Sequence, residues 1–349
     1  MKAIDLFSGI GGLSLGFREA GFDICLANEI EKSIAESYVK NHQSTKMINE
    51  DITKLDIETT FKNYIGITVI IGGPPCQGFS QKGKRLSLKD PRNYLFKYFF
   101  EVVKYVLPQY FVIENVPNLL TAADGQFKNE IFELFTSIGY TLDTDVLNSS
   151  EYGVPQNRKR AIIIGKKGSG KVPFPKKMQQ KVTIWEAISD LAYLQSAEGE
   201  FEQEYKLPIK SLYQKELRKG SAMLFNHVAT KHSNLAIDRM NLVPINGGRA
   251  DLPVKHHTKS IFSGTWGRMN KEGQSMTITT RFDTPSSGRF THPFLNRAIT
   301  VREAARIQSF PDDIIFYGSK TSQMKQVGNA VPPLLAKKIA EAIIEDRGE

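Results

Sequence analysis

Short apolar runs alternate with amphipathic segments through the first 165 residues of the chain. The runs are rich in Val, Ile and Leu, as is typical of strands buried on both faces of a parallel sheet. They predict strands over residues 3–7, 24–27, 46–48, 67–71, 110–113, 141–147 and 161–164. Strands and helices in this order predict a doubly wound, mostly parallel α/β sheet that binds ligands beyond the carboxyl ends of its strands.

Between the predicted strands, apolar residues recur at three- and four-residue spacing, which is the period of a helix with one buried face. Leu13, Phe17 and Ala20 mark the first helix, which Gly21 closes as a C-terminal cap. The other helices are marked by Ile30, Ile34 and Tyr38; by Leu95, Phe99, Val102 and Val106; and by Phe127, Ile131, Leu134 and Ile138 before Gly139. A last helix is expected over 334–344, packed back on the first domain.

The composition changes after the last predicted strand. Residues 166–181 (KKGSGKVPFPKKMQQK) are rich in Lys, Gly and Pro and are interpreted as a linker. Beyond them, up to about residue 299, the alternation of strand and helix is lost. We therefore expect a first domain over 1–181 and a smaller, irregular, β-rich domain over 182–299.

Length, charge and cysteine content limit the class of protein. The 349 residues suit two domains, and the net charge of +9 makes a polyanionic partner plausible. Cys25 and Cys76 cannot form a disulfide framework, and Cys25, in an apolar run, is expected to be a buried structural thiol. The six histidines show no metal-binding spacing, so no metal is expected. No membrane span and no signal peptide are predicted, which indicates an intracellular protein.

A glycine-rich turn follows the first strand. Residues 5–12 (DLFSGIGG) open a helix, so backbone N–H groups can approach a ligand there. Glu29 ends the second strand, where a carboxylate can bind ribose hydroxyls, and Asp51 ends the third, near an adenine amino group. Ser14 stands where a dinucleotide motif needs its third glycine, which favours an adenosine ligand other than a nicotinamide. A tight turn without a ligand would show the same glycines.

A thiol and a carboxyl group follow two other strands. Cys76 lies in Gly-Gly-Pro-Pro-Cys-Gln, a bent segment that does not suit a core, and Glu114 closes the strand before Asn115. If both groups lie at the same edge of the sheet, the thiol could attack an electron-poor ring while the carboxyl group protonates that ring. Arg158 and Arg160 are candidates for lowering the thiol pKa. Each of these residues also has a simpler interpretation. Cys76 could be a packing residue, Glu114 could form an ion pair, and the two arginines could belong to a solvated turn.

Together these residues resemble the DNA cytosine-5 methyltransferases. The resemblance covers an ordered series that spans most of the chain: residues 7–12, Glu29, Asp51, 74–77 (PPCQ), 114–116 (ENV), 156–160 (QNRKR), 302–311 (REAARIQSFP) and 326–332 (QVGNAVP). It implies the S-adenosylmethionine-dependent methyltransferase fold, with a target-recognition domain over 182–299. It also implies a hinge over 300–325 and a segment over 326–349 that returns to the catalytic domain.

The resemblance implies a role for each matched position. Cys76 would be the nucleophile, Glu114 would contact the flipped cytosine, and Arg160 would be the catalytic arginine with Arg158 beside it. The implied cofactor is S-adenosylmethionine, which leaves as S-adenosylhomocysteine. Its site would be lined by Phe7, Ser8, Gly9, Gly11, Gly12, Glu29, Ile30, Asp51, Ile52, Pro74 and Asn329.

Duplex DNA is the expected partner. Residues 81–92 (QKGKRLSLKDPR) predict a loop that closes over DNA, with Lys82, Lys84 and Arg85 near phosphates; Ser80 precedes it. An unconnected surface loop is the alternative. Thr277 resembles the family's recognition threonine, and three arginines are candidates for guanine contacts: Arg268, Arg281 and Arg289. A bacterial restriction–modification role, a monomeric state and a cytoplasmic location are expected, and the sequence leaves open whether a restriction endonuclease is a functional partner.

Three other functions share parts of this pattern. An RNA-directed cytosine-5 methyltransferase acting on transfer RNA would carry a Cys-Phe-Thr signature, which is absent. A catalytically silent DNA-binding protein on the same fold would not need Cys76, Glu114 and Arg160 together. A nicotinamide oxidoreductase would share the sheet, but the glycine pattern and the Pro-Pro-Cys turn fit it poorly. Methyl transfer to DNA is therefore the favoured function.

Overall fold

The computed structural model describes residues 1–75, 95–259 and 264–348. They form two compact units. The first unit comprises Met1–Asn148, Lys159–Lys177 and Val331–Glu349, and the second comprises Ser149–Arg158 and Met178–Ala330. The passage from Lys177 to Met178 falls within the predicted linker. The domain roles that we predicted for these segments remain predictions.

Numbered in chain order, the strands are β1 (Lys2–Leu6), β2 (Asp23–Asn28), β3 (Lys46–Ile48), β4 (Val69–Gly72), β5 (Tyr110–Asn115), β6 (Tyr140–Asn148), β7 (Gln156–Asn157), β8 (Lys159–Lys167), β9 (Glu202–Gln203), β10 (Leu224–Phe225) and β11 (Ser275–Met276). The helices are α1 (Gly12–Glu19), α2 (Lys32–Asn41), α3 (Ile57–Phe61), α4 (Leu95–Val106), α5 (Gln126–Ser137), α6 (Ile184–Ile188), α7 (Leu212–Leu217), α8 (Asn234–Leu242), α9 (Val301–Ile307), α10 (Lys320–Asn329) and α11 (Pro333–Arg347).

The first unit contains a seven-stranded sheet in the order β3-β2-β1-β4-β5-β8-β6. Neighbouring strands are parallel except for β8, which is antiparallel to both β5 and β6. Each predicted strand is present; the bounds of β3 are as predicted, and those of the other strands differ by at most three residues. The predicted doubly wound α/β class is confirmed.

Aromatic side chains fill the core under this sheet. Phe111 of β5 stacks on Phe135 of α5 with ring centroids 4.1 Å apart, and Phe99 of α4 meets both rings edge-on. Gly165 of β8 lies directly under the Phe111 ring, where a Cβ atom would overlap it. Helix α11 packs on α1, because Gly16 lets the backbone of Pro333 approach. The predicted return of the last helix to the first unit is therefore observed.

The second unit is irregular, as predicted, but the expected richness in β-structure was wrong. Its strands within the described residues, β7, β9, β10 and β11, are two residues long. The sequence of this unit is broken by Gly, Pro and polar residues, so no alternating run is long enough to form a longer ladder. Short helices and buried polar side chains hold the unit together instead.

Buried ion pairs organise the core of the second unit. Arg297 pairs with Glu303 at 2.7 and 2.8 Å, and Arg306 pairs with Asp312 at 2.7 and 2.9 Å. Glu303 also completes a capping box with Thr300 at the start of α9, whose residues are all buried. Residues 300–325, expected to form a hinge, are thus part of this unit, and the described structure does not set them apart.

Two smaller expectations concern the cysteine at position 25 and the membrane. Cys25 is half-buried, not buried as predicted, because β2 carries it on a partly open face where its thiol lies 3.5 Å from the Asp23 carboxylate. Among the described residues, no helix is both long enough and apolar enough to cross a membrane.

Candidate functional site

The ends of three adjacent strands define the candidate site. Leu6 of β1 pairs with Gly72 of β4, and Gly72 pairs with Ile113 of β5. The residues that follow these three positions therefore leave the sheet side by side. They include the glycine turn after β1, the Gly73-Pro74 segment after β4, and Glu114 near the end of β5.

The turn between β1 and α1 depends on two glycines with different surroundings. Gly11 has φ +89°, and a Cβ atom there would lie 2.5 Å from His42 Nε2 and 2.7 Å from Tyr38. Gly9 has φ +56°, but a Cβ atom there would meet no atom within 4 Å. Gly11 is thus enclosed by the protein, whereas Gly9 faces open space. The open position is where the backbone can approach a ligand.

Glu29 connects this turn to the end of β2. Its carboxylate accepts hydrogen bonds from the backbone N–H groups of Gly9 at 3.0 Å and Glu31 at 2.7 Å. Burial raises the Glu29 pKa, while these two hydrogen bonds oppose that rise. Glu29 therefore fixes the position of Gly9 and holds a carboxylate at the rim of the turn.

The end of β3 supplies the next two predicted cofactor residues. Asp51 Oδ1 accepts from the N–H of Thr53 at 3.0 Å and from its hydroxyl at 2.9 Å, while Oδ2 accepts no hydrogen bond from the described residues. Ile52 is buried, and Ile30, after β2, is 65% exposed. An unused carboxylate oxygen and an exposed aliphatic side chain are a suitable acceptor and apolar surface for an adenine ring.

A buried polar network beneath the turn was not predicted as functional. Asp5 Oδ2 accepts from the Ser14 hydroxyl at 2.6 Å and its N–H at 3.2 Å, and Ser14 Oγ lies 2.8 Å from the Tyr38 hydroxyl. Burial raises the Asp5 pKa to about 7. The sequence signal was a charged residue inside an otherwise apolar strand.

Two buried oxygens at this turn have no hydrogen-bond partner among the described residues: Asp5 Oδ1 and Ser8 Oγ. Buried oxygens of this kind are normally satisfied by protein, water or ligand. Together with the open position at Gly9, they fit a polar ligand at the turn. The structure thus places the predicted cofactor residues of the first unit, except Pro74 after β4, at the carboxyl ends of β1, β2 and β3.

The second half of the candidate site lies where β4 and β5 end. The Asn115 amide donates to the carbonyl of Pro74 at 2.8 Å, and this bond fixes the Pro-Pro segment against β5. A Cβ atom on Gly73 would lie 3.0 Å from Glu114 Oε2. Asn115 is therefore a positioning residue, and Gly73 leaves room for the Glu114 carboxylate.

Glu114 forms a nearly buried ion pair with Arg160. Nε of Arg160 lies 2.7 Å from Glu114 Oε1, and the two side chains are 14% and 11% exposed respectively. The pair forms because β8 runs antiparallel beside β5, with Glu114 opposite Ile162, two residues from Arg160. Glu114 Oε2 accepts no hydrogen bond from the described residues, so one oxygen is fixed and the other is available.

Three other predicted residues are not among the described residues of the first unit. Cys76 is outside the described residues, and Pro75, which precedes it, is exposed. Arg158 belongs to the second unit, where its buried guanidinium donates to the carbonyls of Ile278 at 3.2 Å and Gly328 at 3.0 Å. Asn329 ends α10 in the same unit. The roles predicted for Cys76 and Asn329 remain predictions.

The prediction that Arg268 contacts guanine needs correction. Arg268 is 5% exposed, and its guanidinium donates to the carbonyls of Val243, Met240, His292 and Leu295 and to the Asn296 side chain. Every donor nitrogen is used within the protein. Its physical role is to join segments of the second unit, and it has no donor left for a base.

The other residues predicted to contact DNA differ in their exposure and in their hydrogen bonds. Arg281 is exposed, Arg289 is half-buried, and the Thr277 hydroxyl donates to the Asn157 carbonyl at 3.0 Å. The residues of the predicted DNA-closing loop lie outside the described residues: Ser80, Lys82, Lys84 and Arg85. These assignments remain predictions.

Comparisons with known proteins point in one direction. The family model for C-5 cytosine-specific DNA methylases matches residues 1–345. The type II methyltransferase M1.HphI of Haemophilus parahaemolyticus is 39% identical over 98% of this chain and 86% of its own. M.DdeI of Desulfomicrobium norvegicum is 38% identical over 98% of this chain and 88% of its own. The structure of an E. coli prophage-encoded DNA modification methyltransferase superposes with a TM-score of 0.82 at 29% identity, covering 100% of both chains.

Proposed function

The chain belongs to the C-5 cytosine-specific DNA methylase family, and from this we propose how its own residues transfer a methyl group to cytosine in DNA. The family predicted from the motifs is confirmed, and DNA cytosine-5 methyl transfer is supported over the RNA-directed and catalytically silent alternatives. The observation that carries the residue-level proposal is the Glu114–Arg160 pair beside the Pro74–Pro75 segment.

We assign S-adenosylmethionine to the turn after β1. The unpaired oxygens of Asp5 and Ser8 and the open position at Gly9 suit its polar part, and Glu29 suits its ribose. Asp51 Oδ2 and exposed Ile30 suit its adenine. When bound, this cofactor supplies an electrophilic methyl group. The other residues of the assignment are Phe7, Gly11, Gly12, Ile52, Pro74 and Asn329.

The proposed reaction uses covalent catalysis at Cys76. The cytosine leaves the duplex, because its ring is inaccessible in the stack, at a cost of roughly a few kcal/mol. The Cys76 thiolate adds to C6, which gives C5 the electron density to take the methyl group. The C5 proton is then lost to a base, the sulfur–C6 bond breaks, and the ring regains its aromaticity.

Glu114 and Arg160 would hold the cytosine during this addition. The ion pair fixes Oε1 of Glu114, so Oε2 is the oxygen that would hold or supply a proton at N3 of the ring. The Arg160 guanidinium, already charged and oriented, would favour negative charge on the O2 side. Arg158, whose donors bind carbonyls within the second unit, is assigned a positioning role in place of a catalytic one.

DNA recognition is assigned to two groups of residues. Lys82, Lys84 and Arg85, with Ser80, are proposed to contact the phosphate backbone, because cations there release counterions without reading sequence. Thr277, Arg281 and Arg289 are proposed for recognition within the second unit. We also propose a monomeric enzyme that acts beside a restriction endonuclease in the cytoplasm, since its curated relatives are type II methyltransferases.

The deciding experiment is transfer of a tritiated methyl group from S-adenosylmethionine to duplex DNA, with transfer RNA as a second substrate. We expect label in DNA alone. Cys76→Ser should abolish transfer, because an alcohol is far less acidic than a thiol and gives no thiolate.

A trapping experiment isolates the covalent step. Duplex DNA with 5-fluorocytosine has no C5 proton to lose, so wild-type protein should remain attached to it in the presence of S-adenosylmethionine. The Cys76→Ser protein is the matched control and should not attach. Label in DNA without any trapped complex would contradict the proposed nucleophile, and absence of label from all DNA would contradict the proposed activity.

A further inference from the structure

The arginines of the second unit differ in how their donors are used. Arg297 and Arg306 are buried against carboxylates, and Arg268 is buried with every donor nitrogen bound to protein oxygens. Arg289 belongs to neither group. It is half-buried and, among the residues described, it forms no ion pair.

Three carbonyl groups hold one end of the Arg289 guanidinium. Nη1 donates to the carbonyls of Asn246 at 3.2 Å, Gly247 at 3.0 Å and Arg268 at 2.7 Å. Asn246 has φ +65°, and the turn that it forms also receives the Arg268 N–H at the Gly247 carbonyl. The acceptors therefore belong to backbone that is itself tied in place.

Glycines surround the rest of the side chain. A Cβ atom on Gly264 would lie 2.9 Å from Arg289 Cβ, and one on Gly267 would lie 3.0 Å from both Cγ and Cζ. A Cβ atom on Gly248 would lie 3.6 Å from Nη2. The Arg289 side chain thus lies in a groove that only glycines at positions 264 and 267 leave open.

This arrangement leaves one edge of the guanidinium unused. Within the described part of the chain, Nε and Nη2 donate to no acceptor, whereas Nη1 is fully used. Nε and Nη2 present two parallel N–H groups in one plane. Two such donors match O6 and N7 of guanine in the major groove. The same pair of donors also matches two oxygens of one phosphate, but a phosphate contact carries no sequence information, so the target sequence of an Arg289 variant separates the two ligands.

We propose that Arg289 is a specificity-determining residue that reads one guanine of the target sequence through its Nε–Nη2 edge. This inference rests on the proposed function. The anchoring of Nη1 orients the guanidinium before DNA binds, so less side-chain entropy is lost on recognition. Arg281, which is exposed, lacks such anchoring among the described residues.

The test compares wild type with Arg289→Lys and Arg289→Ala on a plasmid library, read by bisulfite sequencing. Lysine keeps the charge but loses the planar pair of donors. We expect both variants to lose selectivity for guanine at one position of the target, by on the order of 10- to 100-fold in kcat/KM. Selectivity at the other positions should be unchanged.

Arg249→Lys is the matched control. It makes the same change at another half-buried arginine of this unit, which donates to the Thr258 carbonyl, and it should keep the wild-type target. Melting temperatures of all variants report any loss of folding. Lower activity on all sequences with an unchanged target would assign Arg289 to packing. Full activity and an unchanged target in Arg289→Lys, with uniform loss in Arg289→Ala, would assign it to phosphate. Either result overturns the proposal.

The wild-type arm separates the two proposals. If wild-type protein methylates no DNA, the proposed function fails and the role of Arg289 fails with it. If wild type methylates a defined target and the Arg289→Lys target is identical, only the role of Arg289 fails. A wild-type target in which the methylated C·G pair is the only guanine-containing pair would also count against it.

Discussion

The two carboxylate oxygens of Glu114 have different surroundings. Oε1 is bound by Arg160 and Oε2 is left available beside Gly73, which has no side chain to block it. An acid at the end of a buried strand suited either an ion pair or a functional group. The geometry shows that one side chain forms the ion pair while keeping an oxygen available.

Arg160→Ala should lower both activity and stability. It leaves a carboxylate that is 11% exposed without its countercharge, at a cost of up to about 3 kcal/mol in the free energy of unfolding. The loss of an oriented cation should lower kcat by about 10²- to 10³-fold. Urea denaturation and single-turnover kinetics measure the two effects.

The double variant Glu114→Gln with Arg160→Gln is the control for this prediction. It replaces the pair by two neutral amides, so most of the stability should return while activity stays low. Wild-type stability in Arg160→Ala would show that the ion pair contributes nothing to folding. Wild-type kcat in the same variant would exclude Arg160 from the reaction.

Three arginines show which contacts of a single residue cannot be predicted from the sequence. Arg268, Arg281 and Arg289 look alike in the sequence, and all three were predicted to contact guanine. In the structure Arg268 is saturated by carbonyl groups that come from positions 24 to 28 residues away. Which carbonyls meet a guanidinium depends on how irregular loops close, and no periodic pattern records that.

At the scale of elements, the turn between β1 and α1 shows how two glycines of one motif differ. Gly11 caps α1 in a left-handed conformation and is enclosed by Tyr38 and His42. Gly9 is bound to Glu29 through its N–H and faces open space. One glycine serves folding and the other leaves room for the cofactor.

Gly9→Ala and Gly11→Ala should therefore have different consequences. Gly11→Ala brings Cβ within 2.5 Å of His42 Nε2 and should lower the melting temperature clearly. Gly9→Ala should lower the stability only by the ~1 kcal/mol of a left-handed alanine, yet weaken S-adenosylmethionine binding at least tenfold. Thermal denaturation and titration calorimetry give the two quantities. Equal cofactor affinity in wild type and Gly9→Ala would place the cofactor elsewhere.

The strands of the first unit were predictable because several of them, such as β4 and β5, are continuous apolar runs between turn residues. The bounds of the strands were less predictable. Strand β8 extends over Lys159–Lys167, although the apolar run that predicted it covers only 161–164. Its antiparallel direction, which brings Arg160 to Glu114, follows from the chain returning directly from β6. An apolar run carries no sign of its direction.

At the scale of the whole molecule, buried titratable groups differ between the units. In the first unit, burial lowers the His42 pKa to about 4 and raises the Asp5 pKa to about 7. In the second, burial lowers the pKa of His227 to about 4 and that of His292 to about 3. A lowered histidine pKa contributes stability that is present above about pH 6.5 and is lost as the pH falls. A raised Asp5 pKa contributes stability that is present at low pH and is lost as the pH rises through 7.

The directions of these pKa shifts predict that the second unit loses more stability than the first unit as the pH falls. Between pH 7.5 and 5, His42 and Asp5 act in opposite directions, whereas His227 and His292 act in the same direction, each by about 2 kcal/mol. Trp185 and Trp266, the two tryptophans of the chain, both lie in the second unit. Tryptophan fluorescence should therefore show a melting temperature that falls over this range.

The variant His292→Asn tests whether protonation of His292 causes this fall in melting temperature. Its side-chain oxygen can still accept the N–H groups of Phe294 and Leu295, which His292 Nδ1 now accepts at 3.1 Å each. Because asparagine does not titrate, whereas His227 and His232, whose pKa values burial also lowers, still do, the melting temperature should fall less than in wild type between pH 7.5 and 5 without becoming constant. The same fall in both proteins would show that His292 does not cause it.

The path of the chain through the two units has a consequence for synthesis. The chain passes between them after residues 148, 158, 177 and 330, and α11 supplies the surface on which α1 packs. The partner of α1 is thus translated hundreds of codons after α1 itself. Until α11 leaves the ribosome, the face of α1 that packs on it stays uncovered. We therefore expect no methylation from a nascent chain that lacks α11, and chaperone dependence until α11 has been translated.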